Sequence, residues 1–339
     1  MREGQPRILI IRLSAIGDVV RVLPALHALR EAHPRARIDW AVERKAVGVL
    51  EGHPALDEIL VFDRGAGILG NLRAFWAFCR EIRENRYDMV VDFHGILKSG
   101  VLCWYSGATD RYGFAWPRAQ EGSSLCVNHH VHLPSVKLSR LEENLKLCEL
   151  LAPQHGRAEM SIYVPPEVQD EVSEFYENTF GGGKLVVAMH VPVDRPEKQW
   201  PLEYFAALSD KLLSDGRFEV LLTWGPGQLD VAQRVLRKAK RHAVIAPETA
   251  DLKHYAWLVH RAALYFGGDT GPMHIAAAMG TPVAAVFGGT DPVQHAPATE
   301  PVEILYAAEK GLTPEQRLRA ITPDQAYDAC IRLLGKRRA

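Results

Sequence analysis

Cysteine is scarce in this chain of 339 residues, and its spacing is uninformative. The five residues Cys79, Cys103, Cys126, Cys148 and Cys330 include no C-x-x-C pair. That argues against a disulfide framework or a thiolate zinc site and fits reduced thiols in a cytoplasmic protein. An excess of one charge is also missing. A net charge of -1 speaks against nonspecific nucleic-acid binding, so any anionic ligand must be met by local basic groups. Long apolar runs are absent, because Arg12, Asp18, Arg21, Asp269 and His274 interrupt the best ones, and no membrane span is expected. The start, Met1 to Pro6, lacks the form of a signal peptide. No G-x-S-x-G, Walker A or zincin motif occurs. The first turn is not G-x-G-x-x-G, which disfavours a nicotinamide dehydrogenase. The spacing of His129, His130 and His132 reads as a strand entering a loop more than a metal site, with no carboxylate or thiol to complete a ligand set, and no short repeat or low-complexity tract appears.

What is present is a rhythm, given twice. Short apolar segments at Ile8–Ile11, Arg37–Val42, Glu58–Phe62 and Asp88–Phe93 alternate with helical stretches, notably Val22–Glu31 and Leu69–Glu84. Such alternation specifies parallel βαβ units. After a helix over Ser139–Leu151 the pattern weakens through Pro153, Gly156, Pro165 and Pro166. A helix over Val168–Thr179 and three glycines follow. The rhythm then restarts with Lys184–His190, Phe218–Thr223, Ala243–Ile245, Ala262–Phe266 and Pro282–Phe287. The expected architecture is α/β, with two facing Rossmann-like domains of doubly wound parallel sheet. The division is 1–165, then 166–322, then a helix and basic tail over 323–339 packing back across the domains. The cleft between facing sheets is the expected place of reaction, with closure about the 153–183 segment.

The stretch Tyr265–His274 is the most specific. An apolar strand should end there, the glycines should turn the backbone, and Pro272 should open a helix. A helix N-terminus after a tight turn binds phosphate well. Asp269 and Thr270 stand at its mouth, although both are also ordinary N-caps. Arg12–Asp18 follows the first strand in the same way, so Asp18 is either a cap or a cleft carboxylate able to take a proton. In Asp194–Pro201, Lys198 is placed to reach a diphosphate on the Asp269–Gly271 turn, whereas Trp200 reads as a packing residue. Trp224–Gln228 is a close-approach loop suited to a ribose or base, with Gln228 its polar side chain. Asp92–Ser99 ends a strand and starts a helix. Lys98, Arg118 and Arg140 are candidate contacts for an acidic acceptor. Taken singly, each is an ordinary surface charge.

Arg12–Asp18 with Leu23-Pro24-Ala25-Leu26 resembles the N-terminal signature of family 9 glycosyltransferases, the lipopolysaccharide heptosyltransferases. Arg195–Pro201, Asp269–Ala278 and Phe287–Pro292 are similar to the family's C-terminal motifs, in the same order. The resemblance implies a GT-B fold and an inverting transfer from ADP-L-glycero-D-manno-heptose without an obligatory metal or other cofactor. It implies Asp18 as catalytic base. It implies Lys198 and the Thr270–Gly271 turn as diphosphate ligands, with Asp269, His274 and Gln228 completing the donor site. Ser14, Lys98, Arg118 and Arg140 would face the acceptor. The Gly-x-x-Lys-Ser form of Gly95–Ser99 is most like the enzymes that add the first heptose to Kdo-lipid A (heptosyltransferase I). The implied partners are therefore a nucleotide sugar, an acidic lipid-linked saccharide and the inner face of the inner membrane, touched peripherally. A later heptose position, a sugar-nucleotide epimerase and a non-catalytic nucleotide-sugar binder are the rival readings. Two departures stand out. Val191-Pro192-Val193 offers no hydroxyl before Arg195, and no acidic residue follows Trp224 closely.

Overall fold

The computed structural model describes residues 5–153, 160–297 and 299–336. Residues 154–159, within the expected linker, and Arg337 to Ala339 of the basic tail lie outside them. Contacts divide the chain into two units, Met1–Tyr163 and Val164–Ala339.

In the first unit six strands alternate with helices: β1 (Arg7–Ile11), β2 (Arg37–Glu43), β3 (Glu58–Phe62), β4 (Met89–Asp92), β5 (Asp110–Phe114) and β6 (His129–Val131). Ile8 to Ile11 are wholly buried, as a central parallel strand covered on both faces requires. The strands are all parallel and ordered β3-β2-β1-β4-β5-β6. The second unit repeats the plan with β7 (Leu185–His190), β8 (Phe218–Thr223), β9 (Val244–Ile245), β10 (Leu264–Gly268), β11 (Val283–Phe287) and β12 (Val302–Tyr306). Its order is β12-β11-β10-β7-β8-β9, again parallel. This is the same winding read from the other edge. Connections leave in opposite directions from β1 and β4, and from β7 and β10. Those two pairs mark where loops part and a ligand fits at the strands' carboxyl ends.

Two strands, β5 and β12, give no clear sequence signal and lie at or near a sheet edge, while β6 falls where the histidine spacing reads as a strand entering a loop. β5 reads Asp-Arg-Tyr-Gly-Phe, β6 has three residues, and every residue of β12 is only half-buried. Edge strands need no continuous apolar run. A second difference concerns Gly267 and Gly268, expected to form a turn. They are the last two residues of β10, and neither has a positive φ. Gly267 instead makes room: a Cβ there would lie 2.5 Å from the Tyr265 hydroxyl, whose ring shares that face of the strand.

Trp200, Phe205, Phe218 and Phe266 form the centre of the second core. The closing helix Pro323–Lys336 contributes Ala326, Cys330 and Leu333 to that same core.

Candidate functional site

At the end of β1 the chain passes through Arg12, Leu13 and Ser14 into the short helix Ile16–Val20, whose N-cap is Ala15. Asp18 is therefore the third helical residue and not the cap. The tertiary structure surrounds it with cations: Arg12 forms an ion pair with one carboxylate oxygen, and Arg21 Nη2 lies 2.7 Å from the other. Both arginines are fixed by further bonds. Arg12 Nη1 donates to the Phe93 carbonyl at 2.9 Å, strapping β1 to the end of β4, and Arg21 Nε donates to the Gly17 carbonyl. Asp18 thus has an imposed orientation while remaining partly exposed. Ser14 is half-buried in the same loop.

The loop after β4 is built on Asp92. Its buried carboxylate accepts from the backbone N–H groups of His94 and Gly95 and from the Ser99 hydroxyl. Gly95, with φ +72°, supplies the left-handed turn. His94 is thereby laid beside Leu13, whose N–H donates to His94 Nδ1 at 3.3 Å. Burial, then the positive charges of Arg12, Arg118 and Lys98, hold the His94 pKa down to about 3 despite an opposing pull from Asp18. A neutral ring whose Nδ1 accepts must carry its proton on Nε2, which has no protein partner among the described residues.

The expected acceptor-side cations arrive in pairs, each pair on one carboxylate. Lys98 Nζ lies 2.8 Å from Glu43 Oε1 and Arg64 Nη2 lies 3.0 Å from Glu43 Oε2. Lys98 also caps the Phe62 ring. Arg118 Nε and Arg140 Nη1 both lie 2.7 Å from Oε2 of the buried Glu143. Arg118 is largely buried and sits over the Phe114 ring. Glu43 ends β2, Lys98 follows β4, Arg118 follows β5 and Arg140 follows β6. All of them stand at the carboxyl edge of the first sheet, where the cations Lys98, Arg64, Arg118 and Arg140 outnumber Glu43 and Glu143.

In the second unit, β7 leads into Val191–Gln199, which closes on itself when Gln199 Nε2 donates to the Val191 carbonyl at 3.0 Å. Trp200 anchors this loop in the core through its indole N–H to the Ile321 carbonyl. Lys198, at the end of a 3-10 turn, then reaches the loop after β10. Its Nζ lies 2.6 Å from Asp269 Oδ2, and Thr290 Oγ1 donates to the same oxygen at 2.6 Å. Burial raises the Asp269 pKa. The hydrogen bonds of Lys198 and Thr290 and the charges of Lys198 and His274 outweigh that and leave it below the ordinary carboxylate value. Thr270 is the N-cap of Gly271–Ala278 but makes no side-chain cap bond to it, and Pro272 lies in the first turn. Its hydroxyl instead points back toward the Gly268 carbonyl. His274 is buried within that helix.

Beneath this turn, buried His190 ends β7. Its Nδ1 lies 2.9 Å from Thr223 Oγ1 and 3.3 Å from the Tyr255 hydroxyl, and burial holds its pKa down to about 3. Gln228, expected to face a nucleotide, caps the helix Leu229–Lys238 and folds over Gly225.

The structure therefore brings Lys198, Asp269 and Thr270 together, and separately gathers Asp18, Ser14 and Lys98, Arg118 and Arg140 at one sheet edge. Sequence reasoning missed the partners: Arg12, Arg21, Glu43, His94, Glu143 and Thr290. Only Arg21 and Glu143 carried a local signal, three residues along a helix from Asp18 and from Arg140 respectively. Among the described residues, no cluster of His, Cys, Asp or Glu could hold a metal, and no helix is long and apolar enough to cross a membrane.

Two doubly wound parallel sheets, each with such side chains at its carboxyl edge, are the architecture of the GT-B fold. The chain's solved structural neighbours have that architecture. A family 9 glycosyltransferase from Veillonella parvula DSM 2008 superposes with a TM-score of 0.84 at 22% identity, covering 99% of both chains. The E. coli heptosyltransferase WaaC with ADP-2-deoxy-2-fluoro heptose superposes at 0.76 with 23% identity, covering 96% of this chain and 99% of that one. The chain belongs to glycosyltransferase family 9 (heptosyltransferase), whose model matches residues 75–323. Lipopolysaccharide heptosyltransferase 1 of Escherichia coli K12 is 28% identical over 296 residues, which is 84% of this chain and 89% of that protein.

Proposed function

We propose that this enzyme transfers L-glycero-D-manno-heptose from ADP-heptose to the Kdo-lipid A acceptor of the lipopolysaccharide inner core, with inversion. It would work in the cytoplasm, peripherally at the inner face of the inner membrane. The observation that carries the reading is the pairing of chemistries at two equivalent places. Asp18, framed by Arg12 and Arg21, follows β1, and the Lys198–Asp269–Thr270 group lies where β7 and β10 part.

In this reading the acceptor hydroxyl gives its proton to Asp18 as its oxygen attacks the anomeric carbon. The bond from that carbon to the phosphate oxygen breaks, and its electron pair leaves with ADP. Lys198 and the backbone N–H groups of the Thr270–Gly271 turn meet the charge developing on the diphosphate. Asp269 repels phosphate, so its part is to set the turn, hold Lys198 and address donor hydroxyls, beside His274. Gln228 lines the nucleotide side. On the acceptor side, Ser14 and the cations Lys98, Arg118 and Arg140 suit the carboxylates of Kdo, and neutral His94 offers a donor through Nε2. No metal or cofactor is assigned a role.

Mass spectrometry of products tests the proposal. ADP-heptose would be supplied with Kdo-lipid A and, separately, with an already heptosylated acceptor. Heptosylated Kdo-lipid A is the expected product. Transfer only to the second acceptor would move the enzyme to a later heptose. Donor turnover without any acceptor would instead favour an epimerase.

A further inference from the structure

The helix Gly67–Glu84 buries only Phe78, Cys79 and Ile82, all in its second half. Its first half turns large apolar side chains to solvent: Ile68 is 88% exposed, Leu69 72%, Leu72 52% and Trp76 43%. Positions 68, 69, 72 and 76 fall along one helical stripe. The neighbouring helix Leu97–Tyr105 adds Leu97 at 47% and Trp104 at 60%, seven residues apart on one face. The Trp76 ring meets the Tyr105 ring edge-on at 5.7 Å, which joins the two helices. Contiguous exposed apolar surface of this kind marks a contact with something.

Charge says with what. The chain as a whole is balanced, with 40 basic and 41 acidic residues. Yet the segment from Arg64 to Arg80 contains no Asp or Glu and carries Arg64, Arg73 and Arg80, all exposed. The Leu97–Tyr105 helix has no acid either and carries Lys98. Apolar and indole side chains rimmed by arginine suit an interface with anionic headgroups. The location agrees. Arg64, just before one helix, and Lys98, at the start of the other, meet on Glu43 at the carboxyl edge of the sheet. The apolar stripe therefore begins where the acceptor cations stand.

We propose that the first half of Gly67–Glu84, with Leu97 and Trp104, is the face that docks onto a bilayer bearing anionic lipid. It lies in the headgroup plane and delivers a lipid-linked acceptor to the Lys98 side of the site. This rests on the reading that the acceptor is lipid-linked.

The test uses the full chain and the triple variant Ile68→Gln/Leu69→Gln/Leu72→Gln, whose positions are exposed and whose new residues favour helix. Each would be sedimented with phosphatidylglycerol/phosphatidylethanolamine vesicles and with pure phosphatidylcholine vesicles. The wild type should sediment with the anionic vesicles only, and the variant should lose at least about tenfold in apparent affinity. The variant should transfer normally to a deacylated, water-soluble acceptor and poorly to acceptor embedded in vesicles. Equal sedimentation of wild type and variant, or no wild-type binding, would overturn the proposal. So would a wild-type dimer in light scattering that the variant converts to monomer, since a second copy would then cover this face. Wild-type vesicle binding without transfer to either acceptor would refute the assigned reaction and leave the docking face standing.

Discussion

Lys198 and Asp269 are 71 residues apart in sequence and meet at 2.6 Å, with Thr290 closing on the same carboxylate oxygen. The lysine assigned to the leaving diphosphate thus has a counter-ion at hand. When the anion arrives, Lys198 needs only to share its three donors between the two, and Asp269 keeps the ammonium group in position meanwhile.

Removal of this lysine should have two separable effects. Lys198→Ala should weaken ADP binding in calorimetry. It should also lower stability by about 3 kcal/mol, because it strands a nearly buried carboxylate. Lys198→Ala/Asp269→Asn should regain most of that stability without regaining ADP affinity. Full recovery of ADP binding by the double variant would contradict the assigned role.

Asp18→Asn keeps the size of the side chain but has no carboxylate to accept a proton. Transfer should fall by about 10²- to 10⁴-fold, while ADP affinity stays within about twofold of wild type on the same scale of effects. Turnover near normal would remove Asp18 as the base.

Arg118 and Arg140 share Glu143, so losing either leaves the carboxylate still paired. Arg118→Ala and Arg140→Ala should each raise the acceptor KM by about tenfold with little change in the donor KM, as for loss of one charge-assisted bond. An unchanged acceptor KM in both would place the acceptor's acid groups elsewhere.

His94 and His190 are both held neutral, with pKa values down to about 3. Once unfolded, each regains its ordinary value near 6.5 and binds a proton that the native state refuses. Stability should therefore be fully present above about pH 6.5 and decline as pH falls toward 3, by up to about 1.4 kcal/mol per pH unit for each histidine. Denaturant titrations at pH 7 and pH 4.5 check this. His190→Gln should flatten the slope, and a wild-type stability independent of pH between those values would refute it. His94→Gln retains a donor and should support transfer better than His94→Ala, the difference appearing in the acceptor KM.

The sequence by itself determined the elements and their class. Central strands such as Ile8–Ile11 and Val283–Phe287 are buried on both faces and so must be apolar throughout, which is why they are legible. Turn chemistry is equally local, and Pro272 after Thr270 marks a helix start in any context. β5 and β12 were hidden, because they are partly solvated and carry mixed residues, whereas the edge strands β3 and β9 were legible. Only the tertiary structure decided how the charges combine. Glu43, Arg12 and Thr290 acquire their roles from partners that parallel crossover connections bring to the carboxyl edge of their own sheet, and no spacing along the chain encodes that. The same holds for Gly267, whose use is to admit the Tyr265 ring and not to turn the chain. Periodicity reports what one segment needs of water; pairing across a sheet depends on where the other strands lie.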